Sequence, residues 1–388
     1  MALGAVSCDD GEFSFTNNNG RTVVSVNDET GRLRLESMGS ITFTDDETAI
    51  KTISGDGYVK FRKNGNKIYA QSNAAGAIVY TVNGGTPTTN LDVNEKSILA
   101  HAVKTMVNIG FDAKNREARL YAKGGSEAVL GAIQDITNDW VKSEYFEYLI
   151  TDNKLTNDEM ATVAQRIGED LSSDYEKSKL LKKISASYLD NEQTTTAYLR
   201  AVNTISSDYE KSGALKNVVD QPLTPNQYTQ VLNIAGDIGS DYEKALVLKQ
   251  LISHGTPDEN NMNAFLVTTD GVNSDYEKAG ILKEVVKQGV PPGNSFIKFL
   301  GVAGNVQSDF ERANVLKDAA KINVLSENHW IDLIKETEKL GSDNEKSGAM
   351  IEIAKKMPKS ENVRSAYMLS AKSITTDYEY GQAIKAVN

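Results

Sequence analysis

A Ser-Asp-Tyr-Glu-Lys element recurs down most of this chain, with its aspartate at Asp174, Asp208, Asp241, Asp275, Asp309, Asp343 and Asp377. The steps between copies are 34, 33, 34, 34, 34 and 34 residues. A fixed period of this length confines the chain to an array of small units, each burying its apolar face on the next. The residue after the aspartate is Tyr175, Tyr209, Tyr242, Tyr276, Phe310, Asn344 and Tyr378, so only the sixth copy departs from aromatic. Asn138-Asp139-Trp140-Val141-Lys142-Ser143 reads as a degenerate earlier copy, offset by one residue.

Each copy has the chemistry of a helix start. Ser173 and Glu176 stand at capping-box spacing, repeated through Ser342 and Glu345 and, with threonine, at Thr376 and Glu379. The aspartate suits the positive end of the helix dipole. Four residues after it comes a small side chain, from Ser178 to Gly381; seven and ten after it come apolar ones, from Leu181 and Ile184 to Ile384 and Val387. With the aromatic at the first position these predict one buried stripe, on which Tyr242→Ala should cost about 3 kcal/mol or more. A second helix before each cap carries the column Tyr198, Val231, Phe265, Phe299, Leu333 and Tyr367. Gln221-Pro222, Gly255-Thr256-Pro257 and Pro291-Pro292-Gly293 punctuate the turns. The period matches tetratricopeptide repeats, but their Trp/Gly/Tyr/Ala/Pro pattern does not fit. The predicted units are HEAT-like αα hairpins of a distinct type.

The first part of the chain is different in kind. Arg21–Val26, Arg32–Glu36, Ile41–Thr44, Tyr58–Lys63, Lys67–Gln71 and Ala77–Val82 alternate with period two, separated by Asn/Gly/Asp turns. They predict an antiparallel meander, with a hairpin at Lys63-Asn64-Gly65-Asn66-Lys67. A helix is expected from Asn94 to about Ile109. The predicted fold class is α+β: a small antiparallel β domain followed by an all-α solenoid of about 34-residue repeats. The predicted parts are a tail at 1–10, a β domain at 11–93, a linking helix and connection at 94–125, and some seven or eight hairpins at 126–388.

The Ser-Asp-Tyr-Glu-Lys ladder, with Gly124-Gly125-Ser126-Glu127-Ala128-Val129-Leu130 before it, resembles exported bacterial proteins of unknown function. It is also similar to repeats appended to membrane metallopeptidases of the β-lactam-sensor type. The likeness covers roughly 119–388. This chain departs from the peptidase at the decisive point, having no His-Glu-x-x-His segment and no membrane helix, so no peptidase activity carries over.

Composition narrows function by exclusion. Of 388 residues, 42 are Lys or Arg and 53 Asp or Glu, a net charge of −11, which offers no general field for nucleic acid. Residues 1–125 balance at 14 basic and 14 acidic, so the whole excess lies in 126–388. The Asp-Tyr-Glu-Lys elements carry −1 in six copies and −2 in the last, accounting for −8 of it through helix starts alone. No run reaches the roughly 18 apolar residues of a membrane span. His101, His254 and His329 are far apart, and His101-Ala-Val-Lys-Thr completes no zinc motif. Asp45-Asp46-Glu47 could ligate a cation but reads better as a turn. Phosphate-loop, dinucleotide and nucleophile-elbow motifs are absent, no nucleophile, base and orienter assemble, and no cofactor is implied.

Two columns offer candidate binding residues. Eight residues after the aspartate stand Lys182, Lys216, Lys249, Lys283, Lys317 and Lys385, which suit either a groove for an acidic peptide or anionic glycan, or helix C-termini favouring cations. The variable column Thr195, Tyr228, Met262, Phe296, Trp330 and Arg364 suits either a protein-binding surface anchored on Tyr228, Phe296 and Trp330, or packing between hairpins. Met1-Ala-Leu-Gly-Ala-Val-Ser-Cys8 resembles the end of a lipoprotein signal, which makes Cys8 a candidate lipid attachment point. The expected function is a non-enzymatic exported binding or scaffold protein with another protein as partner, in the periplasm or at the cell surface. The alternatives are an accessory or sensory module for envelope proteolysis or signalling, an anionic glycan or peptide binder, and, for location, the cytoplasm.

Overall fold

The computed structural model describes the chain apart from residues 1–5, 9–10, 19, 29–30, 291–292, 323–324 and 388, and without the side chains of 6–8, 11–13, 15, 17 and 28. The Pro291-Pro292 turn, most of the lipoprotein-like segment and the Cys8 side chain therefore lie outside the described residues. Two compact units are present, Met1–Asn153 and Lys154–Asn388.

The first unit is built on an antiparallel sheet. Its strands are β1 (Val6–Cys8), β2 (Gly11–Asn18), β3 (Arg21–Asp28), β4 (Gly31–Met38), β5 (Ile41–Phe43), β6 (Ile50–Ile53), β7 (Tyr58–Lys63), β8 (Asn66–Ser72) and β9 (Ile78–Val82). Seven of them form one meander in the order β1-β2-β3-β4-β7-β8-β9, while β5 and β6 make a separate hairpin inserted after β4. The predicted β7–β8 turn is present: Lys63 pairs with Asn66, and Asn64 and Gly65 take φ of 49° and 83°, the two positive values of a type I′ turn. Strict alternation sends Leu33 and Leu35, Val59 and Phe61, and Ile68 and Ala70 to one face, where β5, β6 and α1 (Val93–Asn108) cover them with Phe43, Ile50, Leu99, Val103 and Met106. Asp92 and Glu95 close a reciprocal capping box at the start of α1.

Two more helices complete this unit, α2 (Ala113–Gln134) and α3 (Asp139–Asp152). A kink interrupts α2 at Gly124 and Gly125, where Gly125 has φ 63° and ψ −157°, a conformation that only glycine adopts readily. The Asp45-Asp46-Glu47 segment is a turn, and its acids are engaged: Asp46 accepts from Thr44 Oγ1 at 2.6 Å and Glu47 from the guanidinium of Arg116, which also donates to Tyr145 Oη at 3.2 Å. Asn138 caps α3 by accepting from the Val141 N–H at 3.2 Å.

The second unit is helical throughout: α4 (Asn157–Asp170), α5 (Asp174–Leu181), α6 (Ala186–Leu189), α7 (Glu192–Asn203), α8 (Asp208–Val219), α9 (Pro225–Gly236), α10 (Asp241–Ser253), α11 (Glu259–Asp270), α12 (Asp275–Gln288), α13 (Asn294–Gly304), α14 (Asp309–Ala319), α15 (Glu327–Thr337), α16 (Asp343–Ala354), α17 (Glu361–Ala371) and α18 (Asp377–Lys385). Apart from the single turn α6, they pair into αα hairpins and stack as two rows. The A row is α4, α7, α9, α11, α13, α15 and α17; the B row, whose helices begin with the repeated element, is α5, α8, α10, α12, α14, α16 and α18. The core between rows is the predicted one, with Tyr198, Val231, Phe265, Phe299, Leu333 and Tyr367 wholly buried and Leu181, Leu215, Leu248, Leu282 and Leu316 facing them. Ser212, Ala245, Ala279 and Ala313 are also buried, where small side chains let neighbouring B helices approach. No described helix is long and apolar enough to cross a membrane.

Candidate interaction surface of the B-helix row

Each residue of the repeated element has a separable task, and four of the five tasks hold one hairpin to its own cap or to the next hairpin. The serine is the N-cap: Ser173, Ser207, Ser240, Ser274, Ser308 and Ser342 accept from the N–H three residues on, at 3.3–3.4 Å. The reciprocal half of the expected capping box does not form at these caps. The glutamates turn instead to the preceding repeat, where Lys249 reaches Glu277 at 2.6 Å, Lys283 reaches Glu311 at 2.9 Å, and Lys182 and Lys317 reach Glu210 and Glu345 at 3.5 Å. Glu243 takes a hydrogen bond from Ser212 Oγ.

The aspartate does more than meet a dipole. Asp174 accepts from the N–H groups of Ser206 and Ser207 at 3.1 and 2.8 Å, one period further on. Asp208, Asp275 and Asp309 repeat the contact with Ser240, Ser308 and Ser342 at 2.7 Å, and Asp343 accepts from Thr376 at 2.9 Å. Each of these aspartates thus fixes the turn that begins the next B helix. The lysine of the element is buried: Lys177, Lys211, Lys244, Lys278 and Lys346 are 5–7% exposed, as is Arg312 in the same column. Lys177 and Lys346 donate to the Thr204 and Ser373 carbonyls at 3.3 and 3.0 Å, and Arg312 donates to Lys339 O at 3.0 Å. These carbonyls lie at the ends of the next A helices, so a buried cation meets a negative helix terminus and an unused acceptor together.

Only the aromatic has no such task. Tyr175, Tyr209, Tyr242, Tyr276, Phe310 and Tyr378 are 58–72% exposed, against the expectation that they pack in the core. Side chains advance about 100° per residue around a helix, so each three-residue step drifts by about 60°. Positions one and ten after the aspartate consequently lie about 180° apart, and burial of Leu181 and Ile184 turns Tyr175 outward. The outcome is an exposed ladder of one ring per B helix, with Asn344 at the sixth rung. Adjacent rungs stand about 8–10 Å apart, the distance between packed helices.

The sequence-derived candidates fall around this ladder in different ways. The lysine column shares its face, because positions one and eight are two turns apart. Lys182, Lys249, Lys283 and Lys317 are tied to glutamates, as above, rather than forming an unneutralised seam. A Cβ on Gly280 would meet the Lys249 side chain at 2.9 Å, so glycine leaves that lysine its path across the B row. Lys216 is half-buried, and Lys385 is exposed on α18. The aromatic column lies inside: Phe296 is 1% exposed, with rings of Phe299 and His329 at 6.1 and 4.9 Å, and Tyr228 and Trp330 are buried. Their rings pack between hairpins rather than on the open surface. Tyr228 is unusual in one respect, since its hydroxyl has no hydrogen-bond partner among the described residues and its ring lines a cavity of about 370 Å³ with Pro222, Leu251, His254 and Pro257.

The B-row ladder escaped sequence reasoning because the aromatic was grouped with the apolar stripe by its spacing. The detectable signal was the angular drift along that stripe. Among the described residues no group of three or more metal-ligating side chains gathers.

No protein-family model matches this chain, and no curated protein does. A solved structure titled "Computational Design of Self-Assembling Cyclic Protein Homooligomers" is similar at 14% identity, over 74% of this chain and 92% of its own. Its TM-score of 0.14 is too low to bear on fold or function.

Proposed function

We propose that this chain is a non-enzymatic binding scaffold that recognises another protein through the aromatic ladder of its B-helix row. The observation that supports this is the exposure of Tyr175, Tyr209, Tyr242, Tyr276 and Phe310 in an element whose other residues serve the joints. Exposed rings at regular intervals have no stabilising role that the fold requires, and tyrosine supplies large contact area with little side-chain entropy to lose. The scaffold below them is rigid because each joint is closed by charge-assisted hydrogen bonds.

A photo-crosslinking residue at Tyr209, compared with one at the exposed A-row residue Glu259, tests the proposal in the native cell. Discrete protein adducts should form from position 209 and not from 259. They should disappear when Tyr175, Tyr242, Tyr276 and Phe310 are replaced by serine. A folded serine variant that keeps the same adducts overturns the assignment.

The same proposal places the protein in the bacterial envelope, tethered through Cys8. Support comes from the lipoprotein-like residues before Cys8 and from the resemblance to exported proteins. Signal-peptidase hydrolysis of the Ser7–Cys8 bond, which accompanies lipidation of such a cysteine, would remove Val6 and Ser7 and leave the Cys8–Gly11 pair of the short edge strand β1. Mass spectrometry of membrane fractions checks this: an unmodified Cys8 in protein recovered without membrane is the contrary outcome.

A further inference from the structure

The face of the sheet opposite the core has an uneven charge pattern that net charge conceals. Register sets the side chains of this face in rows across the strands. One row runs Thr16, Val23, Glu36, Lys60, Tyr69 and Thr81; the next runs Ser14, Ser25, Arg34, Arg62 and Lys67. In the first row the carboxylate is satisfied: Glu36 accepts from Tyr58 Oη at 2.6 Å and pairs with Arg21 at 3.1 Å and Lys60 at 3.5 Å. In the second row Arg34 is directly opposite Arg62, and Arg62 directly opposite Lys67. All three are exposed, and none forms an ion pair among the described residues.

Like charges directly opposite one another destabilise a sheet, and neighbouring strands are about 4.8 Å apart. Three cations held side by side, with no counter-charge among the described residues, are a local cost that an anion relieves. Two guanidinium forks in succession suit planar or tetrahedral oxyanions that accept two hydrogen bonds each. Ser25 and Ser14 extend the row with hydroxyls, and no apolar side chain interrupts it.

We infer that this row is a second binding site, independent of the aromatic ladder, for a linear anionic glycan lying across β4, β7 and β8. Its acid groups pair with Arg34, Arg62 and Lys67, and its hydroxyls reach Ser25 and Ser14. Two rival polyanions fit the face less well. Single-stranded nucleic acid needs free ring faces for its bases, whereas Lys60 lies 4.4 Å over the Tyr58 ring and the Tyr69 ring is tilted against Tyr58 with centroids 6.2 Å apart. A bilayer surface favours apolar side chains among the cations, and this row has none. The lysine column of the helical unit is a poorer anion site, because four of its members already hold glutamates.

Calorimetric titration of the full chain at low salt with a size-defined heparin oligosaccharide tests the site. Arg34→Gln and Arg62→Gln should each weaken binding by about tenfold, and addition of Lys67→Gln should weaken it further. Melting temperature should hold or rise slightly, because all three side chains are exposed and their mutual repulsion is removed. The triple variant Lys182→Gln, Lys249→Gln and Lys317→Gln should bind within about twofold of the parent. Absence of binding by the parent overturns the proposal, as does undiminished binding by the sheet variant. Equal or tighter binding of phosphatidylglycerol vesicles or a single-stranded oligonucleotide through the same three residues overturns its assignment to a glycan.

Discussion

The sheet unit and the helical unit treat charge in opposite ways. In the helices the repeated aspartate and glutamate, and two kinds of lysine, are engaged in joints between hairpins, as with Asp208 on Ser240, Lys249 on Glu277 and Lys346 on Ser373. The sheet part, balanced at zero over residues 1–125, leaves Arg34, Arg62 and Lys67 abreast with no acid paired to them among the described residues. A large net charge and a functional charge are therefore different things. The −11 of this protein is largely carried by helix starts and joints, whereas the neutral part holds the cations available to a ligand.

Several substitutions would break or sharpen that contrast between structural and available side chains. Tyr198→Ala should have the largest effect, about 4 kcal/mol in chemical denaturation, because its ring is wholly buried and its hydroxyl donates to Ala214 O at 2.8 Å. Asp241→Ala should cost about 2 kcal/mol, since it strands the N–H groups of Asn273 and Ser274 that the carboxylate accepts at 3.1 and 2.7 Å. Asp241→Asn should recover part of that loss, and no loss at all would refute the clamp.

Smaller effects probe the exposed groups. The Tyr58 hydroxyl and then the Arg21 guanidinium hold the Glu36 carboxyl at about 2, against an ordinary 4.5. A depressed carboxylate stabilises the fold above its unfolded value, and the contribution disappears as pH falls from 4.5 toward 2. Glu36→Gln should therefore flatten this acid limb of the melting curve, at a cost below about 1 kcal/mol near neutrality. Tyr242→Ala should change stability by less than about 0.5 kcal/mol, and a loss as large as that of Tyr198→Ala would return the ladder to the core. Tyr228→Phe should be neutral or slightly stabilising, because it removes a buried hydroxyl without a partner.

Much of the architecture was legible in sequence because periodicity reports burial. Alternation located β4, β7 and β8, Asn64-Gly65 located their turn, and the aspartate spacing located every B helix from α5 to α18. What periodicity does not report is which neighbour a polar side chain chooses. Glu277 stands at capping-box spacing from Ser274, yet it pairs with Lys249 of the preceding hairpin, a contact visible only once the hairpins are stacked. The ladder was missed for an angular reason, and the cation row because it is assembled by register: Arg34 and Lys67 meet the same neighbour although 33 residues separate them.

Three recurrent joints of the helical unit point one way along the chain. The aspartate reaches forward to the next cap, the buried lysine to the next A helix and the half-buried lysine to the next glutamate. Each hairpin thus brings its own connectors for its successor and finds its needs met by its predecessor. Such an array can be lengthened or shortened by whole periods of 34 residues with every seam still matched, while an insertion of a few residues would misalign the connections at that seam. Duplication of a single hairpin adds one more rung to the ladder, so reach can grow while the joining rule stays the same.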